Sequence, residues 1–258
     1  MKVRVFASSS SGNCLLLSDG GTNILLDAGI SMRRVENALG NINLSMREIG
    51  GVLITHEHSD HISGLKMLMK HYAFPVFAPF TVANHLRGLL PEIDERLRVI
   101  PVGRYFELGP LHVMAFHTSH DTPESVGYRF ECSGSSFALA TDTGCVTDEV
   151  YRGLLGAKAV LIESNHDENM LCDGPYPVYL KRRILSDRGH LSNKSCARLA
   201  RALAENGCET IVLGHLSCRN NDPRLAVNET EKALLGCNAA ILCAPKLGML
   251  EIDIGEGI

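Results

Sequence analysis

The sequence predicts an α/β fold in which two sheets pack on each other and helices lie outside. Short apolar or β-branched segments bounded by Gly, Asp or Ser predict strands, and they form two groups along the chain. Segments of helical periodicity follow each group. With 258 residues, 45% of them hydrophobic, the chain can bury a large core. No linker or low-complexity tract divides it, so residues 1–258 are expected to form one domain.

The predicted elements follow in chain order. Strands are predicted at 3–7, 13–18, 22–27, 51–55, 112–116, 126–132, 136–141, 159–163, 210–213, 240–243 and 249–254. Helices are predicted at 31–39, 62–71, 79–89, 147–155, 177–185, 192–206 and 223–235. Asp19-Gly20-Gly21 predicts a hairpin turn between two strands. The clearest helix, 192–206, has Ser192 as its cap and Gly207 as its stop.

Composition excludes several classes of protein. The formal net charge of −4 excludes a general polycation, so nucleic-acid binding would need a local basic patch. The scarcity of aromatic residues, 5% of the chain, argues against binding single strands chiefly by base stacking. Apolar runs are too short to span a membrane. The nine cysteines are scattered with no C-x-x-C pair, which indicates free thiols and a cytoplasmic protein.

One segment concentrates potential metal ligands. The apolar run Val52-Leu53-Ile54-Thr55 is followed at once by His56, His58, Asp60 and His61. His56 and His58 alternate, so on extended chain they point the same way. Asp60 and His61 come where the chain turns into a helix. Imidazole and carboxylate ligands without Cys suit Zn, Mn or Fe, so the segment predicts two neighbouring metal positions.

Further candidate ligands follow later strands. His117 and His120 come after the strand 112–116, Asp142 after 136–141 and His215 after 210–213. Loops at strand ends carry function on a rigid scaffold. Taken singly, each of these residues would more often be a plain loop residue, and their shared placement is what favours a common site.

The segment Thr55-His56-Glu57-His58-Ser59-Asp60-His61 resembles the H-x-H-x-D-H motif of the metallo-β-lactamase-fold hydrolases. The resemblance implies a four-layer αβ/βα sandwich of two mixed sheets with helices outside and two divalent metal ions at the sheet edge. The implied ligands are His56, His58 and His120 for one ion, Asp60, His61 and His215 for the other, and Asp142 as the bridge. In tRNA 3′-processing members the third His precedes a short loop and Gly-Tyr-Arg-Phe. Here that tetrapeptide is 127–130, and its spacing fits His120 better than its competitor His117.

Four further segments resemble the bacterial YycJ/WalJ group of exodeoxyribonucleases. They are the turn 8–13, which has Ser9 where the group tends to have Gly, and the segments 163–167, 189–193 and 214–221. By resemblance to the tRNA-processing enzymes, His190 is expected to be the general acid, oriented by Glu163. Asp60 is expected to bind metal and to orient the nucleophile. Both features also have interpretations without function: residues 8–13 could form a hairpin turn of small residues, and His190 could be a loop residue without a role.

Charge distribution favours a polyanionic substrate. Residues 181–201 hold Lys181, Arg182, Arg183, Arg188, Lys194, Arg198 and Arg201 but only Asp187 among acidic residues. Such a patch beside His190 could follow a phosphate backbone, although two solvated helix faces would look the same. The residues expected to bind substrate are Ser11, Asn13, Asn165, Ser192, Lys194 and Arg198.

These expectations combine into a dinuclear-metal-dependent phosphodiester hydrolase, of which a 5′-to-3′ exodeoxyribonuclease using a hydroxide shared by both ions is the leading form. Same-fold hydrolases of small substrates remain open, namely a cyclic phosphodiesterase or a glyoxalase-type thioesterase or lactonase. A metal-stabilised regulatory binding protein is the alternative outside enzymes. Oligomeric state, strandedness and the native metal are left open by the sequence.

Overall fold

The computed structural model describes residues 1–255; the last three residues of the predicted domain lie outside the described part. Its strands, numbered β1 to β14 in chain order, span Lys2–Ser9, Gly12–Asp19, Thr22–Leu26, Gly51–Leu53, Val76–Ala78, Leu97–Val99, Tyr105–Leu108, Leu111–His117, Val126–Cys132, Ser135–Ala140, Ala159–Glu163, Thr210–Gly214, Ala240–Cys243 and Leu250–Asp253. Its α-helices, α1 to α9, span Met32–Gly40, Ser59–Ile62, Leu65–His71, Phe80–Leu89, Asp148–Leu154, Glu168–Asp173, Val178–Ile184, Asn193–Glu205 and Pro223–Ala233. Short 3₁₀ turns lie at Met46–Glu48 and Pro91–Ile93.

The strands form two seven-stranded mixed sheets of equivalent topology. The first has the order β14-β1-β2-β3-β4-β5-β6 and the second β13-β12-β11-β10-β9-β8-β7. In the first sheet the pairs from β14 to β3 are antiparallel and those from β3 to β6 are parallel. In the second, the pairs from β7 to β10 are antiparallel and those from β10 to β13 are parallel. The two halves of the chain therefore repeat one arrangement without an evident sequence repeat.

Alternation along single strands places the side chains in three cores. On β2, Leu15 and Leu17 enter the core between the sheets, while Leu16 enters the core beneath the helices of the first sheet. On β11, Leu161 faces the central core and Val160 the helices of the second sheet. Both faces of these strands are buried, which explains why they read as continuous apolar runs. The predicted α/β fold with two sheets inside and helices outside is confirmed.

Some elements differ from the predictions. The predicted helix 62–71 begins later, as α3, and the short helix α2 precedes it. Gly64 lies between the two, and a Cβ there would lie 2.0 Å from the Ile30 carbonyl oxygen. Strands β5, β6 and β7 and helix α6 were not predicted. Each strand is only three or four residues long. Pairing with a longer neighbour stabilises so short a strand, and a pattern of three residues carries too little periodicity to reveal it.

The carboxyl-terminal ends of β3, β4, β10, β11 and β12 meet at one edge of the two sheets. The edge is tied across the sheets, since the Tyr128 hydroxyl donates to the Ile54 carbonyl at 2.7 Å. Asp27, Asp142 and His215 follow β3, β10 and β12 with φ of 59°, 55° and 52°. This left-handed conformation is unfavourable for residues other than glycine and tends to cluster at functional sites.

Gly29→Ala is expected to destabilise this edge. A Cβ at Gly29 would lie 1.7 Å from the Asp60 carbonyl oxygen, so the backbone of the ligand segment would have to move. We expect a loss of about 1–3 kcal/mol in the free energy of unfolding, measured in urea. The control is Gly40→Ala, because no atom lies within 4 Å of the added Cβ. Equal stability of the two variants would contradict the close approach.

Candidate metal centre and active site

Three histidines form the first group of candidate ligands. His56 and His58 follow β4, and His120 lies in the loop after β8. Ligand atoms of the three lie within 4.8 Å of one another, and His120 Nε2 is 3.2 Å from His58 Nδ1. His117, the competing candidate, points elsewhere: its ring is half-exposed and its Nδ1 lies 3.0 Å from Glu149. The geometry therefore brings His120 into the cluster and leaves His117 outside it.

A second group shares Asp142 with the first. Ligand atoms of Asp60, His61 and His215 lie within 4.8 Å of one another. Asp142 lies between the groups: its carboxylate oxygens are 3.2 Å from His61 Nε2, 3.3 Å from His215 Nε2 and 3.7 Å from His120 Nε2. One buried carboxylate thus faces imidazoles of both groups, as a bridging ligand would.

The donor set fits divalent cations. His56 Nε2 and Asp142 Oδ2 are buried and have no hydrogen-bond partner among the described residues. Buried polar atoms are normally satisfied, so orphaned atoms indicate a missing ligand. Meanwhile His61 Nδ1 donates to Asp27 and His120 Nδ1 to the Gly189 carbonyl. These contacts leave Nε2 of each ring as the nitrogen that faces the cluster, as metal-binding histidines require.

Without a cation, the buried charges shift one another strongly. Burial lowers the pKa of His56 well below its usual value, and the neighbouring His61 adds to the effect. For His61, burial is outweighed by Asp142 and Asp27, which raise its pKa well above the usual value. Burial would raise the pKa of Asp142, but His215 and His61 hold it well below the usual range. Without a cation the cluster therefore keeps Asp142 ionised and His56 neutral, as metal binding requires, whereas His61 must lose a proton when a cation binds.

Asp27 is a functional candidate that the sequence reasoning missed. Its Oδ2 accepts from His61 Nδ1 at 2.7 Å and its Oδ1 from the Thr55 amide at 2.9 Å. The residue is buried, so this carboxylate fixes the ring orientation of His61. The sequence Leu26-Asp27-Ala28-Gly29 indicates Asp27, because a carboxylate there ends an apolar strand. The predicted strand 22–27 includes Asp27 as its last residue and gives it no role in the site.

Asp27→Asn is expected to weaken metal affinity about 10- to 100-fold. Asparagine tolerates the positive φ of this position, and its amide oxygen can still accept from His61. It lacks the negative charge of the aspartate, so it holds the His61 ring less firmly. A chelator-competition titration measures the change. Asp253→Asn on β14, whose side chain is 63% exposed, is the matched control and should bind metal as the unmodified chain does. Equal affinity in both variants would refute a role for Asp27 in the site.

A histidine–carboxylate pair lies beside the metal cluster. His190 Nδ1 donates to Glu163 Oε1 at 2.7 Å and lies 3.9 Å from Asp142 Oδ1. Glu163 is fully buried and accepts at Oε2 from the Thr143 amide, so its position is fixed. Burial alone would lower the pKa of His190, but Glu163 outweighs it and raises this pKa to about 9. His190 is therefore protonated at neutral pH, with its Nε2 free of protein hydrogen bonds in the described part of the chain.

The model of the β-lactamase superfamily domain matches residues 22–216. The chain is 39% identical over 225 residues to exodeoxyribonuclease YycJ of Bacillus anthracis, covering 86% of this chain and 84% of that protein. It is 37% identical over 242 residues to exodeoxyribonuclease WalJ of Streptococcus pneumoniae serotype 2, covering 91% and 90%. The chain belongs to the YycJ/WalJ family of metallo-β-lactamase-fold hydrolases. The fold of this YycJ/WalJ-family hydrolase matches that of YhfI from Bacillus subtilis with a TM-score of 0.75 at 16% identity, covering 97% and 98% of the two chains.

The first turn of the YycJ/WalJ-family hydrolase supports the cluster. Asn13 is buried, and its amide nitrogen lies 3.0 Å from His61 Nε2 while its Oδ1 lies 3.3 Å from His215 Nδ1. Asn13 thus joins the two halves of the second ligand group. Ser11 is exposed at the tip of the turn, and its neighbour Ser10 lines a cavity of about 170 Å³ that also contacts His190. Substrate binding by Ser11 and Asn13 stays a prediction.

Other predicted substrate contacts surround His190. The Asn165 amide donates to the His215 carbonyl at 3.0 Å, and Asn165 lines the 170 Å³ cavity. Ser192 caps α8 by accepting from the Ser195 amide. Lys194 forms an ion pair with Glu168 at 2.9 Å, so Glu168 partly neutralises the charge of Lys194. Asn165 and Ser192 therefore line cavities that adjoin His190, whereas Lys194 lines neither of them.

Several cations of the basic segment 181–201 already contact carboxylates or backbone carbonyls of the protein. Arg183 pairs with Asp121, and Arg201 pairs with Glu205 at 2.8 Å. Arg188 donates to the His120 carbonyl at 2.9 Å and so holds the ligand loop. The cations of this segment without a carboxylate in ion-pair distance, within residues 1–255, are Lys181, Arg182, Arg188 and Arg198. Among the described residues, no helix combines the length and apolar character needed to cross a membrane.

Proposed function

We propose that this hydrolase is a 5′-to-3′ exodeoxyribonuclease that uses two divalent cations. The observation that carries the proposal is the pair His190–Glu163, which places an imidazolium beside Asp142 at the centre of the ligand cluster. A hydrolase of activated esters needs no such donor, whereas a phosphodiester with an alkoxide leaving group does. Relatives named as exodeoxyribonucleases, at 37–39% identity over most of the chain, support DNA as the substrate and exonucleolytic release as the reaction.

The cations would be Zn, Mn or Fe. His56, His58 and His120 would hold one, Asp60, His61 and His215 the other, and Asp142 would bridge them. When bound, they acidify water and stabilise negative charge on the phosphoryl oxygens. Asp60, whose side chain is partly exposed, would also accept a hydrogen bond from the attacking water and orient it. Asp27 holds the His61 ring and Asn13 Oδ1 the His215 ring, each through Nδ1, during the reaction.

His190 would act on the leaving group. As the water oxygen bonds to phosphorus, the bond between phosphorus and the leaving oxygen breaks and His190 Nε2 gives that oxygen its proton. Glu163 keeps Nδ1 protonated and thereby fixes which nitrogen faces the substrate. The attacking water loses one proton to solvent, and the imidazole then regains one from solvent. The chain's own residues thus supply the proton donor, its orientation and the support of the cluster.

The DNA strand would approach over the cations of the basic segment that have no carboxylate partner. Arg198, Lys181 and Arg182 would contact phosphates, while Ser11, Asn165, Ser192 and Lys194 would contribute contacts near the scissile bond. Because phosphate contacts release counterions, the apparent affinity should fall steeply with salt.

Degradation of end-labelled linear DNA tests the proposal. We expect stepwise loss of nucleotides from the 5′ end in the presence of Mn²⁺, and no loss with His58→Ala. The control is His112→Ala on β8, an exposed histidine away from the cluster, which should degrade DNA normally. Internal cuts or 3′ release would refute the stated direction. Hydrolysis of cyclic or small diesters without cleavage of DNA would refute a nucleic-acid substrate.

A further inference from the structure

His190 lines two cavities, and none of the seven predicted metal ligands lines either of them. The larger has a volume of about 530 Å³, within the ~300–1,000 Å³ of small-molecule pockets. Its apolar wall is formed by Val146, Tyr151, Leu185, Leu191, Leu199 and Ala202. The mechanism above uses only its rim, so the cavity itself has no assigned role.

An unsatisfied histidine lies in the wall of this cavity. His166 is 1% exposed, and both of its ring nitrogens lack a hydrogen-bond partner among the described residues. It follows Asn165 on an extended segment that pairs with Ser192, so the two side chains point to opposite sides. Asn165 lines the smaller cavity and His166 the larger one. Buried polar groups are rarely left unpaired, so His166 indicates a ligand that reaches the larger cavity.

The polar lining favours a ligand with two parts, a neutral group that forms hydrogen bonds and a phosphate. Burial lowers the pKa of His166, so the ring is neutral and offers one donor and one acceptor. Arg198 donates to the Ser195 hydroxyl and has no carboxylate partner in the described part of the chain, so its charge is available. Glu168 is neutralised by Lys194. Asp187 also lines the cavity, so the phosphate must lie on the side of Arg198. An apolar wall, a donor–acceptor edge and the Arg198 cation match a nucleobase with its phosphate.

We propose that the 530 Å³ cavity binds the nucleoside on the leaving-group side of the scissile phosphate. The inference rests on the proposed function, because the nucleoside that carries the oxygen protonated by His190 must lie beside His190. The apolar wall contacts the base, His166 bonds to its edge, and Arg198 neutralises the phosphate on its far side. For release from the 5′ end, the occupant is the departing 5′-mononucleotide.

Filling the cavity tests the proposal. Ala202→Phe places a ring in the cavity from a partly exposed position of α8, and Glu205→Phe is the control at an exposed position of the same helix that does not line it. The Mn²⁺-loaded proteins are titrated with the 5′-monophosphates dAMP and dTMP by calorimetry, and KM is measured on a single-stranded oligonucleotide. We expect at least a tenfold weaker nucleotide affinity and a tenfold higher KM for Ala202→Phe, and values within twofold of the unmodified chain for Glu205→Phe.

A second variant separates binding from packing. His166→Leu removes two unsatisfied nitrogens and should raise the thermal unfolding midpoint, since an apolar group costs nothing to bury there. We expect it also to weaken nucleotide binding at least fivefold. A raised midpoint with unchanged affinity would show that His166 is only a core residue and would overturn its assignment.

The outcomes separate this inference from the proposed function. If the unmodified chain does not cleave DNA, the proposed nuclease activity is refuted. Nucleotide binding that Ala202→Phe abolishes would still establish the cavity as a nucleoside site. Conversely, normal DNA cleavage with no saturable binding of either nucleotide, or with Ala202→Phe behaving as Glu205→Phe, would overturn the nucleoside site and leave the nuclease intact.

Discussion

Asp142→Asn is expected to lower phosphodiester hydrolysis by at least about 1,000-fold, equal to about 4 kcal/mol of transition-state stabilisation. The carboxylate lies within 3.7 Å of ligand nitrogens from both candidate groups, so its loss should disturb both cations at once. Asparagine keeps the size of the side chain and tolerates the φ of 55°. The loss should therefore reflect the missing charge and not a refolded loop. Steady-state hydrolysis of an oligonucleotide and metal content by atomic emission measure the effect.

The control for Asp142→Asn is Asp148→Asn in α5. Asp148 has a 93% exposed side chain and only an i,i+4 ion pair with Arg152, so its charge contributes little. We expect unchanged metal content and turnover in this variant. Two bound cations and full turnover in Asp142→Asn would contradict the bridging role and would leave two independent metal positions.

His190→Ala is expected to keep its metal but to lose turnover by about 100- to 10,000-fold on DNA, the range for removing a general acid. The loss should depend on the leaving group. A nucleoside alkoxide needs a proton, whereas p-nitrophenolate leaves without one. With bis(p-nitrophenyl) phosphate we therefore expect a loss of less than about tenfold. The ratio of the two losses distinguishes a proton donor from a residue that merely shapes the site.

His85→Ala on α4 is the matched control for His190→Ala, since His85 is exposed and distant from the cluster in the chain. Glu163→Gln should show the same leaving-group dependence with a smaller loss, because the amide can still accept from Nδ1 but cannot stabilise the imidazolium. Equal losses on both substrates in His190→Ala would disprove the proton-donor role. Loss of metal from that variant would place His190 among the ligands.

Local spacing explains how much of the site was readable from the sequence. Six residues after a buried strand include four of the predicted ligands, namely His56, His58, Asp60 and His61. Their short separation along the chain keeps them close in space. The strand ends at Asp142 and His215 were also visible, because parallel strands present their carboxyl ends at one edge. Resemblance to a known motif then supplied the grouping of the ligands.

Contacts distant in the chain were beyond sequence reasoning. Asp27 orients His61 from 34 residues away, and a carboxylate at the end of an apolar strand does not by itself show which histidine it contacts. The choice between His117 and His120 depended on where one loop folds back, and Arg188 and Gly189 decide it by holding His120. The net charge of segment 181–201 was countable, but the carboxylates that neutralise part of it come from other elements.

The sequence by itself determined the fold class and the types of ligand side chain, because apolar periodicity and short-range spacing are properties of adjacent residues. The role of His190 came only from resemblance to other enzymes. Only the tertiary structure decided which imidazole nitrogen faces the cluster, which cations stay unpaired, and that His166 lines a cavity while Asn165 faces the site. Those features depend on the packing of elements remote in the chain, whose relative positions no local pattern encodes.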